Sequence, residues 1–192
     1  GMANSRFENA HGLSAPGHVM TARDIAILSR ALISQFPEHY ALYKIKEFSY
    51  GGIQQWNRNG LLWKDASVDG LKTGHTSAAG YCLAASAMRG DQRLVSVVLG
   101  IDTTSRNEGF RLREEGNLAL LNWGFRFFET HSVYAAGAKV ADQKVWRGEA
   151  DNVELGVAEP LLVTLPRGRY AELKPTMDVP RQLSAPIAKG QV

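Results

Sequence analysis

The 192-residue sequence predicts an α+β domain followed by a small all-β domain. Apolar residues recur at helical spacing over residues 22–35 and 106–129. Between these two stretches, residues 79–100 contain two nearly continuous apolar runs that predict paired strands. After residue 130, short strand-like runs are separated by Gly, Pro and Asp, as in all-β modules. We therefore assign residues 1–130 to the first domain and residues 131–192 to an incomplete second one.

The first predicted helix has a clear beginning. Thr21 is an N-cap residue, and Asp24 follows three positions later, where an acid favours the first turn. The apolar positions of this helix are Ile25, Leu28 and Leu32. Pro37 is typical of a first helical position, so a second short helix is expected from there.

Turn residues organise the segment that follows. Gly51 and Gly52 predict a tight turn between two short extended pieces. Residues 57–60, Asn-Arg-Asn-Gly, are of types that favour a turn, and they come directly before an apolar run. In residues 79–100, the two strands are expected to be central strands of a sheet, covered on both faces.

Composition argues against nucleic-acid binding and against a metal site. Hydrophobic residues make up 44% and charged residues 21% of the chain, which is ordinary for a globular protein. The net charge of +3, from 22 basic and 19 acidic residues, is mild and dispersed, so we expect no nucleic-acid partner. The single cysteine, Cys82, lies in an apolar run and is expected to be a small buried residue. The five histidines have no ligand-like spacing, so no metal site is expected.

The chain contains neither a signal-peptide pattern at its start nor the roughly 20 consecutive apolar residues of a membrane span. If the protein is exported or anchored, we expect the segments responsible to lie outside these residues.

The most informative motif is the run Val68–Thr76, which contains Lys72-Thr73-Gly74 just before the predicted hairpin. Lys-Thr-Gly on an edge strand is one of three signature elements of serine penicillin-binding enzymes and β-lactamases. A tripeptide alone is weak evidence, because it also occurs by chance at ordinary strand ends. Its position before a hairpin strengthens the interpretation.

Further motifs extend the likeness along the chain. They occur in the same order over residues 5–130, and Leu165–Arg169 extends them into the second domain. They are Asn9–Leu13, Ala22–Asp24, Asn57–Trp63, Val68–Thr76, Ala79–Tyr81 and Asn122–Phe128. The sequence resembles the low-molecular-mass penicillin-binding proteins, which are serine-type D-alanyl-D-alanine carboxypeptidases. This resemblance implies the later part of a penicillin-recognising, transpeptidase-like domain followed by a β-rich domain.

One departure from the family pattern concerns the nucleophile. The family carries Ser-x-x-Lys and Ser-x-Asn before Lys-Thr-Gly, and this chain contains no Ser-x-x-Lys. Ser105-Arg106-Asn107 matches Ser-x-Asn only in letters, because it follows Lys72 and lies at a predicted helix start. The resemblance therefore implies that the N-terminal half of the catalytic domain is missing here, and that the chain alone is inactive.

The resemblance implies roles for the residues that are present. Lys72 would orient the proton network and attract the substrate carboxylate, and Thr73 would hydrogen-bond that carboxylate. Gly74 would leave space where substrate passes the backbone, and the N–H of His75 would form half of an oxyanion hole.

Two arginines are implied to face the carboxylate of the substrate. Arg58 would help to orient it, although Arg58 could instead be a turn residue that pairs with an acid. Arg113 stands where the family has a second such arginine. The preceding loop differs in length, so Arg111 or Arg106 could take that place.

The implied activity is removal of the terminal D-Ala from peptidoglycan stem peptides through an acyl-enzyme, without a metal or cofactor. The implied partners are a stem peptide ending in D-Ala-D-Ala, β-lactam antibiotics and the missing half of the domain. The implied location is the periplasm, at the inner-membrane surface. Two alternatives remain: a non-catalytic peptidoglycan-binding scaffold and a β-lactamase. The β-lactamase fits the β-rich domain and the His11-Gly12-Leu13 loop poorly.

Overall fold

The computed structural model describes residues 1–180 and 182–190. Gln191 and Val192, the last residues of the predicted second domain, lie outside the described residues. The chain divides into two compact units, Gly1–Arg126 and Phe127–Val192. Both helices and sheets are present, so the predicted α+β class is confirmed.

Helices and short hairpin strands make up the first half of the first unit. These elements are α1 (Ala22–Gln35), α2 (Pro37–Tyr40), a 3-10 helix (Ala41–Lys44), β1 (Glu47–Tyr50), β2 (Ile53–Trp56) and α3 (Leu61–Lys64). The helix predicted over residues 22–35 and the short helix predicted from Pro37 are confirmed as α1 and α2. The Thr21 hydroxyl caps α1 by accepting a hydrogen bond from the N–H of Asp24 at 3.1 Å. The predicted turn at Gly51 and Gly52 joins β1 to β2.

The main sheet of the first unit has three antiparallel strands in the order β3-β4-β5. They are β3 (Val68–Thr76), β4 (Gly80–Arg89) and β5 (Gln92–Ile101). The predicted hairpin is therefore confirmed. Only β4 is central, however, because β5 lies at the second edge of the sheet in the described part of the chain. Helix α4 (Arg106–Phe127) follows.

Side chains on the two faces of the sheet form separate apolar clusters. One joins α3, α4 and the sheet, and consists of Leu61, Leu62, Val68, Leu83, Ala85, Ala87, Leu121 and Phe125. The other consists of Tyr40, Leu71 and Ala84, with Ile25, Leu32 and Ile33 of α1 packed against it. Alternate residues of β4 thus point into different clusters, as expected for a strand covered on both faces.

Two details of the predicted helices differ in the structure. Leu28 is 45% exposed, whereas the neighbouring Ser29 is buried and its hydroxyl donates a hydrogen bond to the carbonyl oxygen of Ile25 at 2.7 Å. Phe128, which we assigned to the long helix, begins a strand, because α4 ends at Phe127.

The second unit consists of short strands. They are β6 (Phe128–Tyr134), β7 (Lys139–Trp146), β8 (Asn152–Gly156), β9 (Leu161–Pro166) and β10 (Leu183–Ser184). A 3-10 turn, Tyr170–Glu172, separates the last two. Strand β6 pairs with β9, and β7 pairs with β8 and β10. The short strand-like runs predicted after residue 130 correspond to these strands. Among the described residues, no helix has the length and apolarity needed to cross a membrane.

Candidate active site

Strand β3 carries four of the predicted site residues in one continuous segment, Lys72–His75. Lys72 lies opposite Ala84 of β4, and Gly74 lies opposite Cys82. In the described part of the chain, β3 pairs only with β4, so its second side is an edge. An open strand edge can accept an extended peptide through backbone hydrogen bonds.

The ammonium group of Lys72 is in an unusual electrostatic environment. Its side chain is exposed overall, and its Nζ donates a hydrogen bond to the carbonyl oxygen of Thr73 at 2.5 Å. Partial desolvation lowers the pKa of Lys72, and the positive charges of Arg58 and Arg113 lower it further. Lys72 therefore releases its proton more readily than a solvated lysine does.

Gly74 is not required by the packing of the sheet. An alanine Cβ at this position would lie 3.7 Å from the Cβ of Cys82, which is ordinary van der Waals contact. Cys82 itself is only half-buried, so the expectation of a buried cysteine was wrong. The reason is its pairing position, since it faces the edge strand near the open end of the sheet.

Packing against helix α4 positions His75. The imidazole ring stacks on the ring of Tyr81, with centroids 4.0 Å apart and an interplanar angle of 30°. Tyr81 is buried and contacts Phe110 edge-on at 5.8 Å. Gly109 makes this possible, because a Cβ there would overlap the Tyr81 ring. In the sequence, Gly109 is only a helix-weakening residue, and its contact with Tyr81 is visible only in the structure.

Arg58 lies in a tightly bonded loop, residues 57–60, between β2 and α3. Its side chain is exposed, whereas Asn59 beside it is fully buried. Among the described residues, no carboxylate forms an ion pair with the Arg58 guanidinium. The alternative that Arg58 is a turn residue paired with an acid is therefore not supported.

Arg113 is buried rather than open to solvent. Arg113 is only 1% exposed, and its Nη2 donates a hydrogen bond to the carbonyl oxygen of Arg58 at 2.8 Å. Its Nη1 lies 3.4 Å from the carbonyl oxygen of Cys82, and its guanidinium packs 4.5 Å from the centre of the Phe110 ring. Desolvation lowers the pKa of Arg113. Its two Nη groups are thus directed to the backbone, whereas its Nε is buried without a hydrogen-bond partner among the described residues.

The other two arginines that could replace Arg113 are engaged elsewhere on α4. Arg111 is exposed and forms an ion pair with Glu115 at 2.7 Å. The guanidinium of Arg106 lies over the ring of Phe110, 5.3 Å from its centre. Of these three arginines, Arg113 is the one whose charge affects Lys72.

Ser105 supports our interpretation of Ser105-Arg106-Asn107 as a chance match. Helix α4 begins at Arg106, and the Ser105 hydroxyl accepts a hydrogen bond from the N–H of Glu108 at 3.3 Å. This is the behaviour of an N-cap residue.

A polar cluster at the base of β3 was not foreseen from the sequence. The Tyr40 hydroxyl donates to the Asp69 carboxylate at 2.5 Å, and Arg93 pairs with the same carboxylate at 2.7 Å. Desolvation and the hydrogen bond to Asp69 raise the pKa of Tyr40 to about 12. The cluster fixes Asp69 three residues before Lys72. Among the described residues, His, Cys, Asp and Glu side chains form no group of three suited to a metal ion.

An α+β domain whose edge strand carries Lys-Thr-Gly points to the class of penicillin-recognising proteins, and the small β unit that follows is typical of the carboxypeptidases within it. Residues 1–103 match the family model described as D-alanyl-D-alanine carboxypeptidase, peptidase S11. Residues 128–192 match the model of the penicillin-binding protein 5 C-terminal domain. The chain therefore belongs to the D-alanyl-D-alanine carboxypeptidase family, and the resemblance predicted from the sequence is confirmed.

Individual relatives agree with this assignment. The chain is 48% identical over 194 residues to the D-alanyl-D-alanine carboxypeptidase DacC of Escherichia coli, covering 100% of this chain and 47% of that protein. Penicillin-binding protein 5 of Haemophilus influenzae superposes with a TM-score of 0.82 at 42% identity, over 100% of this chain and 55% of that one.

A more distant relative has a structure with a bound β-lactam. Penicillin-binding protein D2 of Listeria monocytogenes, in its ampicillin-bound form, matches at 34% identity with a TM-score of 0.54. The match covers 62% of this chain and 50% of that one. The chain thus spans about half the length of the curated relatives that it matches.

Proposed function

We propose that the complete protein is a serine-type D-Ala-D-Ala carboxypeptidase, which removes the terminal D-Ala from peptidoglycan stem peptides. The observation that carries this proposal is the Lys72–His75 segment on the open edge of β3, in a chain of this family. The serine nucleophile lies in a part of the complete protein outside these 192 residues. Its absence here agrees with the chain's coverage of 47% of its relative DacC.

Substrate binding follows from the open edge. An extended stem peptide adds to β3 as a further strand, and its terminal carboxylate lies near the positive charges of Lys72 and Arg58. The Thr73 hydroxyl donates a hydrogen bond to this carboxylate. Packing against β4 does not require a glycine at position 74. We therefore assign Gly74 to the substrate side of the strand, where the missing side chain leaves the backbone accessible.

The reaction is acyl transfer in two steps. The serine oxygen attacks the carbonyl carbon of the penultimate D-Ala, its proton passes to a base, and the peptide C–N bond breaks as the terminal D-Ala leaves with a proton on its nitrogen. Water then attacks the ester, and the serine recovers its proton. Lys72, with its lowered pKa, takes part in this proton network.

The tetrahedral intermediates carry a negative oxygen that needs donors. The backbone N–H of His75 supplies one of them, and each such donor is worth about 3 kcal/mol of transition-state stabilisation. The stacking of His75 on Tyr81 holds this segment in place.

β-Lactams are expected to acylate the same serine, because they present a reactive amide beside a carboxylate. The ampicillin-bound structure of the Listeria relative supports this extension. Because the proposed substrate is peptidoglycan, we also propose that the enzyme acts in the periplasm, at the inner-membrane surface.

The test compares this chain with the complete protein. The complete protein should release D-Ala from a D-Ala-D-Ala peptide and form a stoichiometric adduct with a fluorescent penicillin, read on a denaturing gel. The 192-residue chain, which has no Ser-x-x-Lys, should do neither. An adduct on this chain alone would contradict the proposal. A complete protein that binds peptidoglycan without releasing D-Ala would instead be the non-catalytic scaffold.

A second prediction concerns the substrate class and Arg58. If the Arg58 guanidinium orients the terminal carboxylate, Arg58→Ala should reduce kcat/KM for a D-Ala-D-Ala peptide by about 10- to 150-fold, the value of one charge-assisted hydrogen bond. The loss should be much smaller for the peptide with an amidated C-terminus. Equal losses on both substrates would show that Arg58 only holds the loop.

A further inference from the structure

The loop that presents Arg58 and the strand that presents Lys72 are joined by one buried side chain. Asn59 is 0% exposed. Its Nδ2 donates a hydrogen bond to the carbonyl oxygen of Gly70 at 2.9 Å, and its Oδ1 accepts one from the N–H of Leu61 at 3.2 Å. Asn59 directly follows Arg58, and Gly70 lies two residues before Lys72. A single amide therefore ties both cationic segments together.

The same loop is bonded on its other sides. The N–H of Asn57 donates to the carbonyl oxygen of Lys46 at 2.8 Å, and the Asn57 side chain donates to the carbonyl oxygens of Tyr43 and Ile45. The N–H of Gly60 donates to the Glu114 carboxylate at 3.2 Å. These bonds hold the loop to residues 43–46 and to helix α4, and the bond from Asn59 to Gly70 holds it to β3.

Helix α4 contributes the remaining contacts. The Arg113 guanidinium donates to the carbonyl oxygen of Arg58, and Glu114 also pairs with Lys64 at 2.8 Å. Backbone hydrogen bonds and buried partners therefore surround residue 58, while its side chain alone reaches solvent.

We propose that Asn59 is a positioning residue, which sets the separation between the Arg58 guanidinium and the Lys72 ammonium and so determines how the terminal carboxylate of the substrate is recognised. This inference rests on the proposed carboxypeptidase function. Asn59 touches no substrate. It acts through the two segments that it links, because a hydrogen bond in the low-dielectric interior is stronger than one exposed to water.

The variant Asn59→Ser tests the link selectively in the complete protein. A serine hydroxyl can still accept the hydrogen bond from Leu61, but it is too short to replace the amide nitrogen that reaches Gly70. Asn59→Asp is the second variant, because it keeps the shape of the side chain and loses the donor. The matched control is Ser96→Ala, which removes a buried 2.6 Å hydrogen bond to Asn117 and contacts neither segment.

The main measurement is the ratio of kcat/KM for the free-carboxylate peptide to kcat/KM for its amide. Asn59→Ser should reduce this ratio by about tenfold, and it should have little further effect on the ratio in an Arg58→Ala background, because the two residues act as a unit. Ser96→Ala should lower thermal stability and leave the ratio unchanged. An unchanged ratio in Asn59→Ser, or full additivity with Arg58→Ala, overturns the proposal.

A second measurement does not depend on turnover. The charge of Arg58 lowers the pKa of Lys72, so an Arg58 released from its position should let that pKa rise. The pKa of Lys72 can be followed by 13C NMR of the lysine ε-carbon in the complete protein. It should rise in Asn59→Ser but not in Ser96→Ala; Asn59→Asp is not used here, because its own negative charge would raise the pKa of Lys72 directly. A protein without carboxypeptidase activity would refute the proposed function, whereas an unchanged Lys72 pKa would refute the positioning role separately.

Discussion

Lys72→Ala in the complete protein should slow acylation by a fluorescent penicillin by about 10²- to 10⁴-fold, the range of a positioned acid–base group. The reason is the position of the ammonium at the open edge of β3, with a pKa lowered by partial desolvation and by Arg58 and Arg113. The thermal midpoint should hardly change, because Lys72 is exposed and, among the described residues, its ammonium group hydrogen-bonds only the neighbouring carbonyl oxygen of Thr73.

Two variants sharpen this experiment. Lys44→Ala removes another exposed lysine of the same unit, at the end of the 3-10 helix rather than on β3, and should leave acylation unchanged. Lys72→Arg keeps the positive charge but cannot give up its proton near neutral pH. If Lys72→Arg retained full activity, charge alone would explain the role of Lys72. Acylation rates in Lys72→Ala that match the unsubstituted protein would refute the Lys-Thr-Gly assignment.

Local signals explain why much of the fold could be predicted. Thr21 and Pro37 mark helix starts by chemistry that acts within one turn, and Gly51-Gly52 marks a turn in the same way. The hairpin of β4 and β5 joins strands that are adjacent in sequence, so its pairing requires no knowledge of distant contacts. The edge position of β3 came from the resemblance and agrees with the sheet order.

Long-range contacts explain what could not be predicted. Gly109 reads as a weak helix residue, and only the approach of Tyr81, 28 positions earlier, reveals why a larger residue would not fit. Asn59 reads as one of several turn residues, and its partner Gly70 is visible only in three dimensions. The Tyr40–Asp69–Arg93 cluster joins three separate elements. The roles of Lys72, Thr73, Gly74, His75 and Arg58 in catalysis or substrate binding stay predictions.

Arg113 is the site residue for which the sequence and the structure lead to different experiments. From the resemblance, Arg113 faces the substrate carboxylate, and its replacement would affect kcat/KM and leave folding intact. In the structure, its guanidinium is buried and donates to the backbone carbonyl oxygen of Arg58, with that of Cys82 nearby. Its replacement should then reduce the free energy of unfolding.

We expect Arg113→Met in the complete protein to lower the free energy of unfolding by about 1–3 kcal/mol, because the carbonyl oxygens of Arg58 and Cys82 lose their donor. The matched control is Arg111→Met on the same helix, whose surface ion pair with Glu115 is worth less than about 1 kcal/mol. Urea denaturation measures both. If Arg113→Met were no more destabilising than Arg111→Met but reduced kcat/KM for the free-carboxylate peptide, Arg113 would bind the substrate directly. A large loss of stability would instead show that Arg113 acts by holding the loop of Arg58.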